Sequence, residues 1–178
     1  MENFVENKDL EKFNGNTPTF VEIGEFEDAD EELLPIAKYI MQTTVHNADI
    51  IPDRIKFLYT NKPKKDGGRF IITSLSLRSP IEKMISDDYD FIITVFYEVW
   101  KDLQGEQKVI LLDKALCGID MGSMDSPKIK KKSPDSKEYI DNMNHFTPRK
   151  VMEVSEMVHL TCQRIMEEKA EEKQKNKN

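Results

Sequence analysis

Apolar residues fall into short blocks with different periods, and each block predicts one element. Leu33, Leu34, Ala37, Ile40 and Met41 are spaced as one face of a helix. Acids just before them favour the positive end of the helix dipole. Asn47 to Pro52 breaks this helix. Arg54 to Tyr59 then alternates as a strand, and Arg69 to Leu77 reads as a second one. Lys62 to Gly68, with Pro63, Gly67 and Gly68, is a turn between them, so the two runs are expected to pair as an antiparallel hairpin. Tyr89 to Tyr97 is nearly continuous in apolar residues, which predicts a strand buried on both faces.

A short helix carrying Trp100 is expected over Glu98 to Leu103. Glu106 to Cys117 has apolar residues around most of its circumference (Val109, Ile110, Leu112, Leu116), the pattern of a buried helix. Pro148 opens a long helix with Val151, Val154, Met157, Val158 and Ile165 on one face. The stretch 120–147 is polar, with two Ser-Pro steps and the basic cluster Lys128 to Lys132, and reads as an exposed loop. The expected organisation is an N-terminal arm over 1–20, docking through Phe4, Leu10, Phe13 and Phe20, one folded domain over 21–166, and a charged, disordered tail over 167–178. The fold class is α+β, a short, mostly antiparallel sheet packed by helices.

Composition narrows the function classes. A chain of 178 residues is long enough for one domain with a substantial core, burying roughly 70% of its unfolded surface. Its net charge of -7 opposes direct binding to nucleic acid or to an anionic membrane. No apolar run approaches the ~18 residues of a membrane span, and the first residues lack the basic and apolar regions of a signal peptide, so a cytoplasmic location is expected. Cys117 and Cys162 form no CxxC pattern and read as reduced thiols. Cys117 is a buried apolar residue in this reading rather than a nucleophile.

Seven carboxylates, Glu22, Glu25, Glu27, Asp28, Asp30, Glu31 and Glu32, form the best candidate for an acidic interaction surface. Glu156 and His159, three apart on one helix, could share a metal, although a surface pair is the plainer reading. His46 and His145 read as loop or capping residues.

Three segments, taken in order, resemble the phage metallopeptidase family, a zincin-like group with a His-Glu-x-x-His helix. They are His46 to Tyr59 with its Arg54-Ile55 strand entry, Tyr89 to Val95 followed by Trp100, Leu103, Gln107 and the Leu-Leu-Asp step ending at Asp113, and Glu153 to Met157. Asp49 departs from the family's His-x-x-Leu step after His46. The resemblance covers about residues 33–165 and implies a zincin-like single domain.

In such a family the two histidines grip zinc from one helical face and the glutamate polarises water. Here Lys114 stands for the first histidine, Ala115 for the glutamate and Gly118 for the second histidine, while Glu156 matches a third ligand. Both imidazoles and the general base are lost, so no cofactor is expected. The resemblance then implies a non-catalytic protein that binds a host or phage protein in the bacterial cytoplasm, with Lys114 pairing with Glu156 in place of the metal. A hydrolase with a metal site rebuilt from Asp113, Asp120, His145, Glu156 or His159 is the alternative, and zinc belongs only to it. A third reading is an acidic nucleic-acid mimic that blocks a DNA-binding host protein.

Overall fold

The computed structural model describes residues 7–85, 89–124, 128–134 and 139–176. Phe4 and the Ser126-Pro127 step lie outside them. The central sheet has four strands in the order β1-β2-β6-β5. β1 (Phe26–Asp28) is antiparallel to β2 (Ile55–Thr60), and β2 is parallel to β6 (Phe91–Phe96) in the register Ile55↔Phe91 through Thr60↔Phe96. β5 (Thr73–Leu77) is antiparallel to β6. The interior strand β6 is the one whose sequence is almost wholly apolar. Phe91, Ile93, Val95 and Phe96 have no exposed surface, so both faces are covered, as the run predicts.

The expected hairpin between the runs 54–59 and 69–77 does not form. Lys62 to Gly68 does not merely turn. β3 (Lys64–Asp66) and β4 (Arg69–Ile71) make their own antiparallel hairpin through Gly67 and Gly68, both at positive φ. Two adjacent residues at positive φ suit the tight turns whose twist matches paired strands. The second run then divides at Ile72, and its remainder, β5, pairs with β6 instead of β2.

Helices pack around this sheet. α1 (Asn7–Leu10) and a 3-10 turn over Glu11–Phe13 belong to the N-terminal arm, which docks through buried Leu10 and Phe13. Phe20 anchors it further, packing edge-on against Tyr59 and Tyr97, with ring centroids 5.9 and 5.2 Å away. α2 (Asp30–Thr43) buries Leu33, Ile36, Ala37, Ile40 and Met41, the predicted stripe with Ile36 in place of Leu34, which is half-buried. α3 (Pro80–Ile85) precedes β6, and α4 (Tyr97–Trp100) follows it, carrying the fully buried Trp100. α5 (Gly105–Cys117) is the central helix.

The stretch expected as an exposed loop is partly structured. β7 (Ile119–Asp120) pairs with β8 (Lys130–Lys131), and α6 (Ile140–Phe146) buries Asn142 and Phe146. Its polar composition concealed this, because Asn142 is buried through hydrogen bonds rather than through apolar area. α7 (Pro148–Lys175) continues well past the last apolar anchor, and its final turns remain helical with exposed side chains, where a disordered tail was expected. Among the described residues no helix is long and apolar enough to cross a membrane.

Candidate functional site

The chemistry of this chain converges on α5. Gln104 caps the helix, its backbone N–H donating to Gln107 Oε1 at 2.9 Å while its own side chain accepts from the Gln107 backbone. Surrounded by α2, α6, α7 and β5, the helix buries nearly its whole circumference, including Lys108 and Asp113, neither of which has exposed surface. A charged group so placed must be supplied with partners by the fold.

The last turn of α5 holds the positions aligned with the missing zinc motif. Lys114 is half-buried and Ala115 buried. Gly118 follows the helix at φ -75°, ψ -6°, a right-handed conformation, so the left-handed cap that its glycine invites is absent. Space explains the glycine instead. A Cβ at this position would stand 2.8 Å from Leu75 Cδ2 and 2.8 Å from the Tyr139 hydroxyl. That hydroxyl donates to the Lys132 carbonyl at 3.0 Å, which holds the phenol in place.

Glu156 and His159 lie on the neighbouring α7, yet both face the β3–β4 hairpin. Arg69 Nη2 engages the Glu156 carboxylate, where a pairing with Lys114 was expected. His159 Nδ1 accepts the Phe70 backbone N–H at 3.0 Å, and its ring packs on Phe70.

A second group of polar residues forms on another side of α5. Asp113 Oδ1 accepts from His46 Nε2 at 3.1 Å and from Asn47 Nδ2 at 2.6 Å, and Oδ2 accepts from Asn142 Nδ2 at 2.6 Å. Cys117 lies one turn further along the helix, and the ligating atoms of His46, Asp113 and Cys117 all fall within 4.8 Å of one another. His145 stands beside them, its ring centroid 6.1 Å from that of His46. Burial holds His145 below its ordinary pKa; Asp113 opposes the shift and His46 adds to it. Burial pushes the Cys117 thiol well up, assisted by the carboxylates of Asp113 and Asp141. His46, in the loop after α2 as expected, bonds the buried Asp113 carboxylate, and His145, in the last turn of α6, lies within its electrostatic reach. Asn47 and Asn142 carried no motif; the available signal was an aspartate inside the apolar run Val-Ile-Leu-Leu-Asp, which demands donors from elsewhere.

The acidic run divides between surface and interior. Glu32 is buried and forms an ion pair with Lys108 Nζ at 2.7 Å. It also accepts from Thr17 Oγ1 at 2.8 Å, Trp100 Nε1 at 3.2 Å and the Tyr59 hydroxyl. Lys108 donates in addition to Thr17 Oγ1 at 2.7 Å. Asp28 and Asp30 both bind Lys56, and Asp30 accepts the Phe57 backbone N–H at 2.9 Å. Glu27 is half-buried. Glu22, Glu25 and Glu31 remain exposed, so the acidic face is smaller than the run implied. In the basic cluster, Lys130 lies 3.4 Å from Asp120 and Lys131 Nζ donates to the Leu75 carbonyl at 3.1 Å.

The family model described as "Putative phage metallopeptidase" matches residues 24–167. Neither the curated proteins nor the solved structures gave a match.

Proposed function

This chain belongs to the phage metallopeptidase family, and we propose that it is a non-hydrolytic member that acts by binding a host or phage protein inside the bacterium. The observation that carries the non-hydrolytic half is the packing at Gly118. Leu75 and Tyr139 fill the space that a second zinc-binding imidazole would need. Lys114 brings an ammonium to the first ligand position, and Ala115 has no group able to take a proton from water. A catalytic zinc needs about three protein ligands and an open position. The side chain aligned with a third ligand, Glu156, is engaged by Arg69.

With hydrolysis set aside, recognition remains. The exposed Glu22, Glu25 and Glu31, near the arm that docks through Phe13 and Phe20, are the proposed contact region for a basic partner. The test has two arms. Zinc-supplemented protein is incubated with a peptide mixture, and no cleavage above a chelator-treated sample is expected. Tagged protein is then used to recover partners from the infected cell, with a variant carrying Glu22→Lys, Glu25→Lys and Glu31→Lys as reference. A basic protein retained by the parent and lost by the variant supports the reading. Zinc-dependent cleavage, or retention indifferent to the three substitutions, refutes it.

A further inference from the structure

We propose that His46, Asp113 and Cys117 form a site for a borderline transition metal such as zinc or cobalt, on the side of α5 away from the degenerate motif. The inference does not depend on the non-hydrolytic reading. The donor set is one imidazole, one carboxylate and one thiol, the combination that favours zinc-like ions over magnesium or calcium. Ligands to a tetrahedral zinc, at bond lengths of about 2.0–2.3 Å, stand roughly 3.3–3.7 Å apart. His46 Nε2 and Asp113 Oδ1 are 3.1 Å apart, and all three donors fall within 4.8 Å. Side-chain rotation closes the remaining gap of about 1 Å. The backbone need not move, because Asp113 and Cys117 lie at i and i+4 on one rigid helix.

Two further observations point to an ion. Asp113 is oriented by the amide nitrogens of Asn47 and Asn142, the outer-shell support that ligating carboxylates require. The oxygens of the same two amides, Asn47 Oδ1 and Asn142 Oδ1, are buried with no hydrogen-bond partner. Each oxygen belongs to an amide whose nitrogen bonds Asp113, so one carboxylate and two unpartnered amide oxygens share this buried region. A cation relieves that accumulation of negative potential. Access runs through His46, whose side chain is 18% exposed.

On binding, the Cys117 S–H bond breaks and its proton passes to solvent as the metal–sulfur bond forms, while His46 gives up the hydrogen on Nε2, takes one on Nδ1 to stay neutral, and coordinates through the freed Nε2. His145, its ring centroid 6.1 Å from that of His46, lies beside the three donors and outside their cluster. A site held by these three ligands joins the loop after α2 to α5.

The test is a cobalt titration of the full chain after chelator treatment, read by absorption. One equivalent is expected to produce a thiolate-to-cobalt charge-transfer band that zinc displaces. Cys117→Ser is expected to abolish the band, Cys162→Ser to keep it, and Asn142→Leu to weaken binding by about tenfold or more. The wild-type titration decides even if a variant fails to fold. No charge-transfer band at one equivalent overturns the proposal, and so does a band that survives Cys117→Ser.

Discussion

The hydroxyl of Tyr139 occupies the space that any side chain at Gly118 would need, 2.8 Å from where a Cβ would stand, with Leu75 Cδ2 equally close on another side. Because the φ of Gly118 is -75°, an alanine there meets no backbone penalty. The cost of Gly118→Ala is therefore steric, and overpacking of this kind costs about 1–3 kcal/mol. Denaturant unfolding is expected to show that loss, with Gly118→His losing more. Tyr139→Phe in the Gly118→Ala background should recover part of it. An unchanged midpoint for Gly118→Ala would mean that the turn has room to spare.

Lys108 and Glu32 set a second expectation. Both are buried, and Thr17, Tyr59 and Trp100 complete the hydrogen bonding of the Glu32 carboxylate. Lys108→Met leaves that carboxylate without its counter-charge, and breaking a buried pair from one side costs about 3–5 kcal/mol. Combining it with Glu32→Gln should cost less than the sum of the two single changes. Additive losses in the double-mutant cycle would show that the two groups do not act as a pair.

His145 makes stability depend on acidity. Its folded-state pKa is lowered, with burial as the main cause. As the pH falls below about 6.5, the unfolded chain takes up the proton before the folded one does. This contribution is therefore fully present above the unfolded value and is lost as the pH falls through it toward the folded one. Urea midpoints measured near pH 8 and near pH 5 should fall toward acid, and His145→Gln should flatten that fall. A slope identical in the variant would assign the dependence to other groups.

The two thiols should be inert in the native protein. Burial raises Cys162 to about 11 and Cys117 further still, and the thiolate is the reactive form. A thiol reagent is expected to label neither on the timescale of minutes in buffer and both in denaturant. Rapid native labelling of one equivalent would show that the end of α5 or the middle of α7 opens readily.

The legibility of this fold in its sequence varied with the range of the contacts involved. β6, α5 and the face of α2 were plain because each carries its signal within a dozen residues, as apolar period or continuity. Strand pairing was misread because Lys62 to Gly68 serves a small hairpin of its own, and nothing local distinguishes that from a connection between two longer strands. Glu32 was hidden among exposed acids, and its role depends on Lys108, 76 residues away. Asp113 depends likewise on His46, Asn47 and Asn142, which lie 67, 66 and 29 residues from it. Asparagines carry no periodic signal, so only the improbability of an aspartate inside an apolar helix marked that centre in advance.

The central claim is that this metallopeptidase-like scaffold does not hydrolyse peptides. The most direct measurement incubates the purified protein, with zinc supplied, with a diverse peptide mixture and scores new termini by mass spectrometry against a chelator-treated sample. The account predicts no zinc-dependent termini, even if one equivalent of metal binds at His46, Asp113 and Cys117. Zinc-dependent cleavage that persists through repurification and follows the folded protein through its unfolding transition would contradict it.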